Sequence, residues 1–112
     1  MNTLAVVHAR ALLGLSAPPV SVEVHLANGL PAFSIVGLPE TSVRESRERV
    51  RAALLQSGIE FPNRRITVNL APADLPKESG RFDLPVALGI LAASGQIAIS
   101  PEELAQYELA GE

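Results

Sequence analysis

The segment from residue 20 to residue 26 alternates strictly between apolar and polar side chains. Its apolar members are Val20, Val22, Val24 and Leu26. Successive side chains of a β-strand point to opposite faces, so a period of two predicts a strand with one buried face. A second alternating segment at 65–70 and two apolar segments at 4–7 and 32–36 predict three more strands.

A turn signal stands between two of these segments. Asn28 and Gly29 are adjacent, and both residue types tolerate the positive φ that a tight turn requires. The pair predicts that strands 20–26 and 32–36 are hydrogen-bonded neighbours in a hairpin.

Two longer segments predict helices. Residues 40–57 place Val43, Val50 and Leu54 on one stripe, as expected for a helix with one buried side. Residues 84–94 are apolar nearly all round and predict a buried helix. Asp83 stands where a side chain caps the first turn of this second helix, and we expect it to do so.

The last part of the chain predicts two short elements. Ser100, Pro101 and Glu103 form a capping signature that predicts a brief third helix. Residues 107–110 are expected to begin a further strand.

The resulting order is β-β-β-α-β-α. Three strands before the first helix favour an α/β (α+β) fold, a two-layer sandwich with a mixed sheet, over a doubly wound Rossmann fold. The 112 residues fit a single domain covering residues 1–112.

Composition excludes several kinds of site. The chain has no cysteine, which excludes disulfides, thiolate metal sites and a cysteine nucleophile. The longest apolar run, residues 84–93, is about half of the ~20 residues that a membrane-spanning helix needs. The N-terminus also lacks the basic start of a signal peptide. We therefore expect a cytoplasmic protein with no membrane contact.

Two further chemistries are not expected of this chain. A P-loop needs the pattern G-x-x-x-x-G-K-[ST], but the one lysine, Lys77, is followed by Glu78, so the chain lacks the motif for ATP hydrolysis. His8, His25 and Glu23 suggest three metal ligands, but they lack the close spacing of a zinc motif. We expect no metal site and no catalytic residue.

Three contiguous runs, residues 30–40, 61–77 and 81–91, resemble the N-terminal domain of the ComM/YifB family of bacterial Mg-chelatase-like AAA+ ATPases. The resemblance covers residues 3 to about 112. It implies a Lon-protease-like domain whose β-β-β-α-β-α core is also found in GHMP kinases. It also implies a left-handed crossover, an exception to the usual right-handed rule.

The resemblance also carries functional expectations. It implies a non-catalytic accessory domain, truncated from a larger hexameric motor that promotes branch migration of DNA in natural transformation and recombination. ATP and Mg²⁺ are expected in an AAA+ module outside this chain. Single-stranded or branched DNA and copies of the same protein are the expected partners.

Two alternatives remain open. The first is a Lon-like serine peptidase, because residues 76–83 resemble the loop that carries the Lon nucleophile. Asp83 stands at the nucleophile's place, however, and Ser79 lies three to four residues earlier. The second is a protein-interaction module that does not contact DNA.

Clustered cations are the candidate nucleic-acid contacts, because phosphate binding depends on them. They are Arg44, Arg47 and Arg51 on one helix ridge, Arg64 and Arg65 at the start of a strand, and Lys77 and Arg81 beside a loop. An alternative explanation exists for the ridge. The pairs Glu40–Arg44, Glu45–Arg49 and Glu48–Arg51 have the spacing of a salt-bridged, solvated helix face.

Overall fold

The computed structural model describes residues 3–77 and 80–112. Within them it contains four strands, three α-helices and one 3₁₀ turn. The strands are β1 (Leu4–Arg10), β2 (Pro19–Ala27), β3 (Ala32–Val36) and β4 (Arg65–Ala71). The helices are α1 (Glu40–Gln56), α2 (Asp83–Ala93) and α3 (Pro101–Leu104), and the 3₁₀ turn is Gly80–Phe82. Ser79, the serine of the peptidase alternative, lies outside the described residues.

The four strands form one mixed sheet in the order β1-β2-β4-β3. β1 and β4 both run antiparallel to β2, whereas β3 runs parallel to β4. The mixed sheet and the two-layer α+β architecture confirm the predicted fold class.

The predicted hairpin between strands 20–26 and 32–36 is wrong, because β4 lies between β2 and β3. Ala27 and Ala32 are both register partners of Arg65, so the loop 28–31 crosses the start of β4. A type I′ turn needs a positive φ at both central residues. Asn28 does not have one, and Gly29 has a φ of 136°. The inward side chains of β4 are fully buried, which favours a central position for this strand. They are Ile66, Val68 and Leu70.

One face of the sheet carries the core and the other faces solvent. Every second residue of each strand is buried, and α1 and α2 pack over this face. Gly89 of α2 lies directly against Val24 of β2, because a Cβ atom at Gly89 would be 2.5 Å from Val24 Cγ2. The glycine therefore permits a close approach of helix and sheet.

The end of the chain returns to the free edge of β1. Glu108 forms a parallel bridge with His8, and the Leu109 amide donates to the His8 carbonyl at 2.9 Å. The predicted strand at 107–110 is thus present as a single bridge. The predicted capping box at Ser100 and Glu103 is confirmed in full.

Candidate nucleic-acid interface

Three arginines of α1 surround one cleft. Arg44, Arg47 and Arg51 lie on one ridge of the helix, and together with Phe33 and Glu48 they line a depression of about 240 Å³. The helical spacing predicted from the sequence therefore does bring these three side chains to a common site.

Two of these guanidinium groups are fixed in place. Arg47 Nη1 donates to the carbonyl oxygen of Phe33 at 2.9 Å. The Arg51 guanidinium lies 4.2 Å from the centre of the Phe61 ring, a distance at which a cation is attracted to the ring face. Neither contact neutralises the positive charge, so both groups keep their charge in the cleft.

A second cleft continues from the first. Arg51 lines both, and the second extends along Phe61 and Asn63 to Arg64. Arg64 and Asn63 also line a third depression, which reaches Gln96 beyond α2. We call this continuous surface the basic groove. Its polar lining consists of Arg44, Arg47, Glu48, Arg51, Glu60, Asn63, Arg64, Ser94 and Gln96.

Arg64 lines the second and third depressions of this groove. Its Nε atom is buried and has no hydrogen-bond partner among residues 3–77 and 80–112, and the same is true of Arg81 Nε outside the groove.

Two carboxylates, Glu48 and Glu60, also line the groove, but neither forms an ion pair among the described residues. Of the three helix pairs expected from spacing, only Glu45–Arg49 forms an ion pair, at 3.7 Å. In the described part of the chain no carboxylate lies within 4 Å of the Arg44 or Arg51 guanidinium. The interpretation of this ridge as a salt-bridged face is therefore wrong for Glu40–Arg44 and Glu48–Arg51.

Lys77 does not reach this groove. It is only 5% exposed, and its Nζ atom donates to the carbonyls of Gly37 at 3.1 Å, Leu75 at 2.9 Å and Pro72. Burial lowers the pKa of Lys77, and the nearby carboxylate of Asp74 partly opposes that shift. The side chain thus ties the loop after β4 to the loop after β3.

Arg65 and Arg81 lie apart from the groove. Arg65 alternates with the buried Ile66 and so lies on the open face of the sheet. Arg81 belongs to the 3₁₀ turn before α2, and its carbonyl accepts from the Gly111 amide at 3.0 Å. Of the seven cations that the sequence suggested, the structure brings together Arg44, Arg47, Arg51 and Arg64.

A buried polar cluster joins the two long helices. The Ser46 hydroxyl donates to Asp83 Oδ1 at 2.7 Å, and Arg49 donates to the same carboxylate through Nε and Nη2. The hydrogen bond from Arg49 to Asp83 raises the pKa of Arg49. The Glu112 carboxylate lies 3.8 Å from Arg49 Nε at the edge of the cluster.

This cluster corrects the prediction for Asp83. The residue before α2 is Phe82, and among the described residues it stands at the N-cap without a capping side-chain hydrogen bond. Asp83 is the first helical residue, and its carboxylate binds α1 instead. Sequence reasoning missed Ser46, which interrupts the apolar stripe between Val43 and Val50 and is fully buried. A small polar residue inside an apolar stripe was the available signal.

Comparison with known proteins places the chain in a family. The model for "Subunit ChlI of Mg-chelatase" matches residues 22–112, which is most of the chain. The chain belongs to this ChlI family. Its relatives include YifB of Salmonella typhimurium, 60% identical over 98% of this chain, and YifB of Escherichia coli, 57% identical over 98%. The competence protein ComM of Haemophilus influenzae is also 57% identical over 98% of the chain.

These ChlI-family relatives are much longer. The chain spans 21% of the length of each of the three. The matched part corresponds to the domain described above, and the sequence of this chain has no P-loop. The ATPase module expected for the whole proteins is therefore not found in this chain.

The residues considered as metal ligands can also be located in the fold. His8 is the register partner of Ser21, and His25 is the register partner of Leu4, so the two histidines do not face each other across the ladder. In residues 3–77 and 80–112 no three His, Asp or Glu side chains are grouped to hold a metal ion. No helix in the same residues is long and apolar enough to cross a membrane.

Proposed function

We propose that this chain is a non-catalytic accessory domain of a Mg-chelatase-like AAA+ ATPase, and that its basic groove contacts the sugar–phosphate backbone of DNA. The observation that carries the proposal is the convergence of four arginines on one continuous groove, none of which has an ion-pair partner within residues 3–77 and 80–112. Family membership supports the accessory role, and the groove supports the contact with DNA.

Arginine suits a phosphate contact for a geometric reason. Its guanidinium presents a planar set of N–H donors that matches two phosphate oxygens at once. Arg51 and Arg47 are already positioned by Phe61 and Phe33, so little side-chain freedom remains to be lost on binding. Arg64 and Asn63 line the same two depressions, so Asn63 adds a neutral donor beside the Arg64 charge.

The aromatic side chains favour backbone contact over base stacking. A stacking platform needs an exposed ring face. The Phe61 ring has Arg51 on it and Phe33 beside it, with the two ring centres 5.6 Å apart. Phe33 is itself buried. A groove of this kind binds DNA with little dependence on sequence.

The relatives support a wider role for the longer protein. One of them is named a competence protein, which agrees with action on DNA during natural transformation. We propose a cytoplasmic hexameric motor for branch migration in recombination, whose ATP and Mg²⁺ are bound in a module outside this chain. A Lon-like peptidase is not proposed, because the nucleophile's place holds Asp83, which is engaged by Ser46 and Arg49.

The test is an anisotropy titration of the chain with labelled single-stranded and forked DNA at low salt. The variant Arg51→Ala/Arg64→Ala should weaken binding by roughly tenfold or more, whereas Arg65→Ala should not. Arg65 is the matched control, because it neighbours Arg64 in sequence but lies on the other face of β4. Equal effects of both variants would contradict the groove, and absence of binding would favour a protein-interaction module.

A further inference from the structure

The turn between β1 and β2 carries an exposed group of leucines. Leu12, Leu13 and Leu15 are all exposed, and Leu15 makes no burying contact at all, with 109% relative exposure. Single exposed leucines are normal on a protein surface, but a group of them marks a contact site. We call residues 11–18 the leucine hairpin.

This segment has a defined backbone conformation. The amides and carbonyls of Leu13 and Ser16 exchange hydrogen bonds of 2.9 and 3.0 Å, and the Ala11 amide donates to the Pro18 carbonyl at 3.0 Å. Gly14 has a φ of 63°, which suits the first central position of a two-residue hairpin turn. The leucines are therefore presented on an ordered protrusion and do not fold back on the core.

The last residues of the chain run past the base of this hairpin. Arg10 Nε pairs with Glu108 at 2.9 Å, and Arg10 Nη1 donates to the Ala17 carbonyl at 2.8 Å. The same arginine thus connects the leucine hairpin to Glu108. From there the chain runs to the start of α2, where the Gly111 carbonyl accepts from the Leu84 amide at 2.9 Å.

The size of the leucine hairpin indicates which kind of partner can bind it, a separate copy of the chain or another module of the same polypeptide. A stable complex between separate proteins uses roughly 20–30 residues on each side, whereas the leucine hairpin offers residues 11–18. So small a patch is insufficient for a stable dimer of this chain. It is sufficient for a partner in the same polypeptide, because tethering gives a high effective concentration.

We propose that the leucine hairpin docks into an apolar groove on the module that adjoins this domain in the longer ChlI-family chains. The relatives leave ample chain for such a module, since this domain spans 21% of their length. The proposal rests on the accessory-domain part of the proposed function and is independent of the contact with DNA.

The test compares two chains by hydrogen–deuterium exchange. One is the 112-residue chain, and the other is Salmonella typhimurium YifB with this chain in place of the 110 residues that match it. Amides of residues 11–18 should exchange roughly tenfold more slowly in the longer chain, the effect of a contact worth about 1.4 kcal/mol. Exchange in the loop 28–31 should be the same in both chains.

Two leucine variants make the test specific. Leu15→Ser in the longer chain should restore the fast exchange of the isolated domain, whereas Leu30→Ser should not. Leu30 is 82% exposed but lies in the loop after β2, at the other end of that strand. Equal exchange of residues 11–18 in both chains would overturn the proposal. The proposal would also be overturned if the amides of residues 11–18 exchanged slowly in the 112-residue chain and lost this protection on dilution. In that case a second copy of the chain would bind the leucine hairpin.

The two proposals fail in different ways. Leu15→Ser leaves the basic groove intact, so its DNA anisotropy curve should match that of the unchanged protein. Equal exchange of residues 11–18 in the two chains, together with weaker DNA binding by Arg51→Ala/Arg64→Ala, would contradict the docking proposal alone. Slower exchange of residues 11–18 in the longer chain, together with unchanged DNA binding by Arg51→Ala/Arg64→Ala, would contradict the groove alone.

Discussion

The hydroxyl of Ser46 in α1 and the carboxylate of Asp83 in α2 are joined by a 2.7 Å hydrogen bond, and both residues are buried. Arg49 supplies the positive charge that balances this carboxylate. The interface between the two long helices is therefore held by a polar cluster as well as by apolar contacts.

Replacement of Asp83 by alanine should destabilise the fold. Ser46 would lose its acceptor in a fully buried position, and Arg49 would lose its shortest ion pair while keeping the longer contacts with Glu45 and Glu112. We expect the free energy of unfolding to fall by about 2–4 kcal/mol, less than for a fully buried pair because Arg49 is partly exposed. Urea denaturation followed by circular dichroism measures this change. Glu108→Ala, which breaks the exposed pair with Arg10, should cost less than about 1 kcal/mol. Similar losses in both variants would contradict a structural role for the cluster.

Lys77 should make stability depend on pH. Burial lowers its pKa below the ordinary value of 10.5. Between the lowered pKa and 10.5 the unfolded chain holds a proton that the folded chain has released. The contribution of Lys77 to the free energy of unfolding therefore rises with pH through that window and is smallest below the lowered pKa.

The variant Lys77→Met isolates this effect. It leaves three backbone carbonyls without their donor, so at neutral pH it should lower the free energy of unfolding by about 1–3 kcal/mol. The difference between Lys77→Met and the unchanged protein, measured by urea denaturation at several pH values up to 10.5, should vary with pH. Parallel curves would show that Lys77 has the same pKa in the folded and unfolded chains.

Gly89→Ala should be destabilising although alanine is the better helix former. Alanine in place of glycine ordinarily adds about 1 kcal/mol to helix stability. Here the added Cβ atom would lie 2.5 Å from Val24 Cγ2, and overpacking of this kind costs about 1–3 kcal/mol. The double variant Gly89→Ala/Val24→Ala should show a favourable coupling energy in thermal unfolding. Simple additivity of the two changes would contradict the close contact.

Arg51→Ala should reduce the salt dependence of DNA binding. Each phosphate contact contributes about 0.7–0.9 to the slope of log K against log salt concentration. Loss of one contact should therefore make the slope shallower by about that amount, for all DNA sequences alike. Arg10→Ala, at an exposed arginine outside the groove, should leave the slope unchanged. A change of affinity without a change of slope would indicate that Arg51 acts by supporting Phe61.

Much of the local structure was predictable from the sequence. The alternation of Val20, Val22 and Val24 predicted the strand and its buried face, and the Ser100 capping signature predicted the start of α3. These features depend on residues that are neighbours in the chain. Local backbone preference and the periodic separation of apolar and polar side chains are sufficient to define them.

The candidate site was predictable only in part. The spacing of Arg44, Arg47 and Arg51 predicted a shared helix ridge, and the structure places all three around one cleft. The same reasoning included Lys77, which is buried among carbonyls. A lysine in a polar loop has no local signal that distinguishes a solvated ammonium from one that ties two loops together.

The pattern of apolar and polar residues along the chain is enough to predict which segments are strands and helices and which side of each is apolar. The insertion of β4 between β2 and β3, the meeting of Arg64 with the arginines of α1, and the hydrogen bond between Asp83 and Ser46 become visible in the folded chain alone. The difference lies in the range of the interactions. Periodicity is set by contacts between near neighbours, whereas strand order and the meeting of distant side chains are set by burial of the whole apolar surface at once.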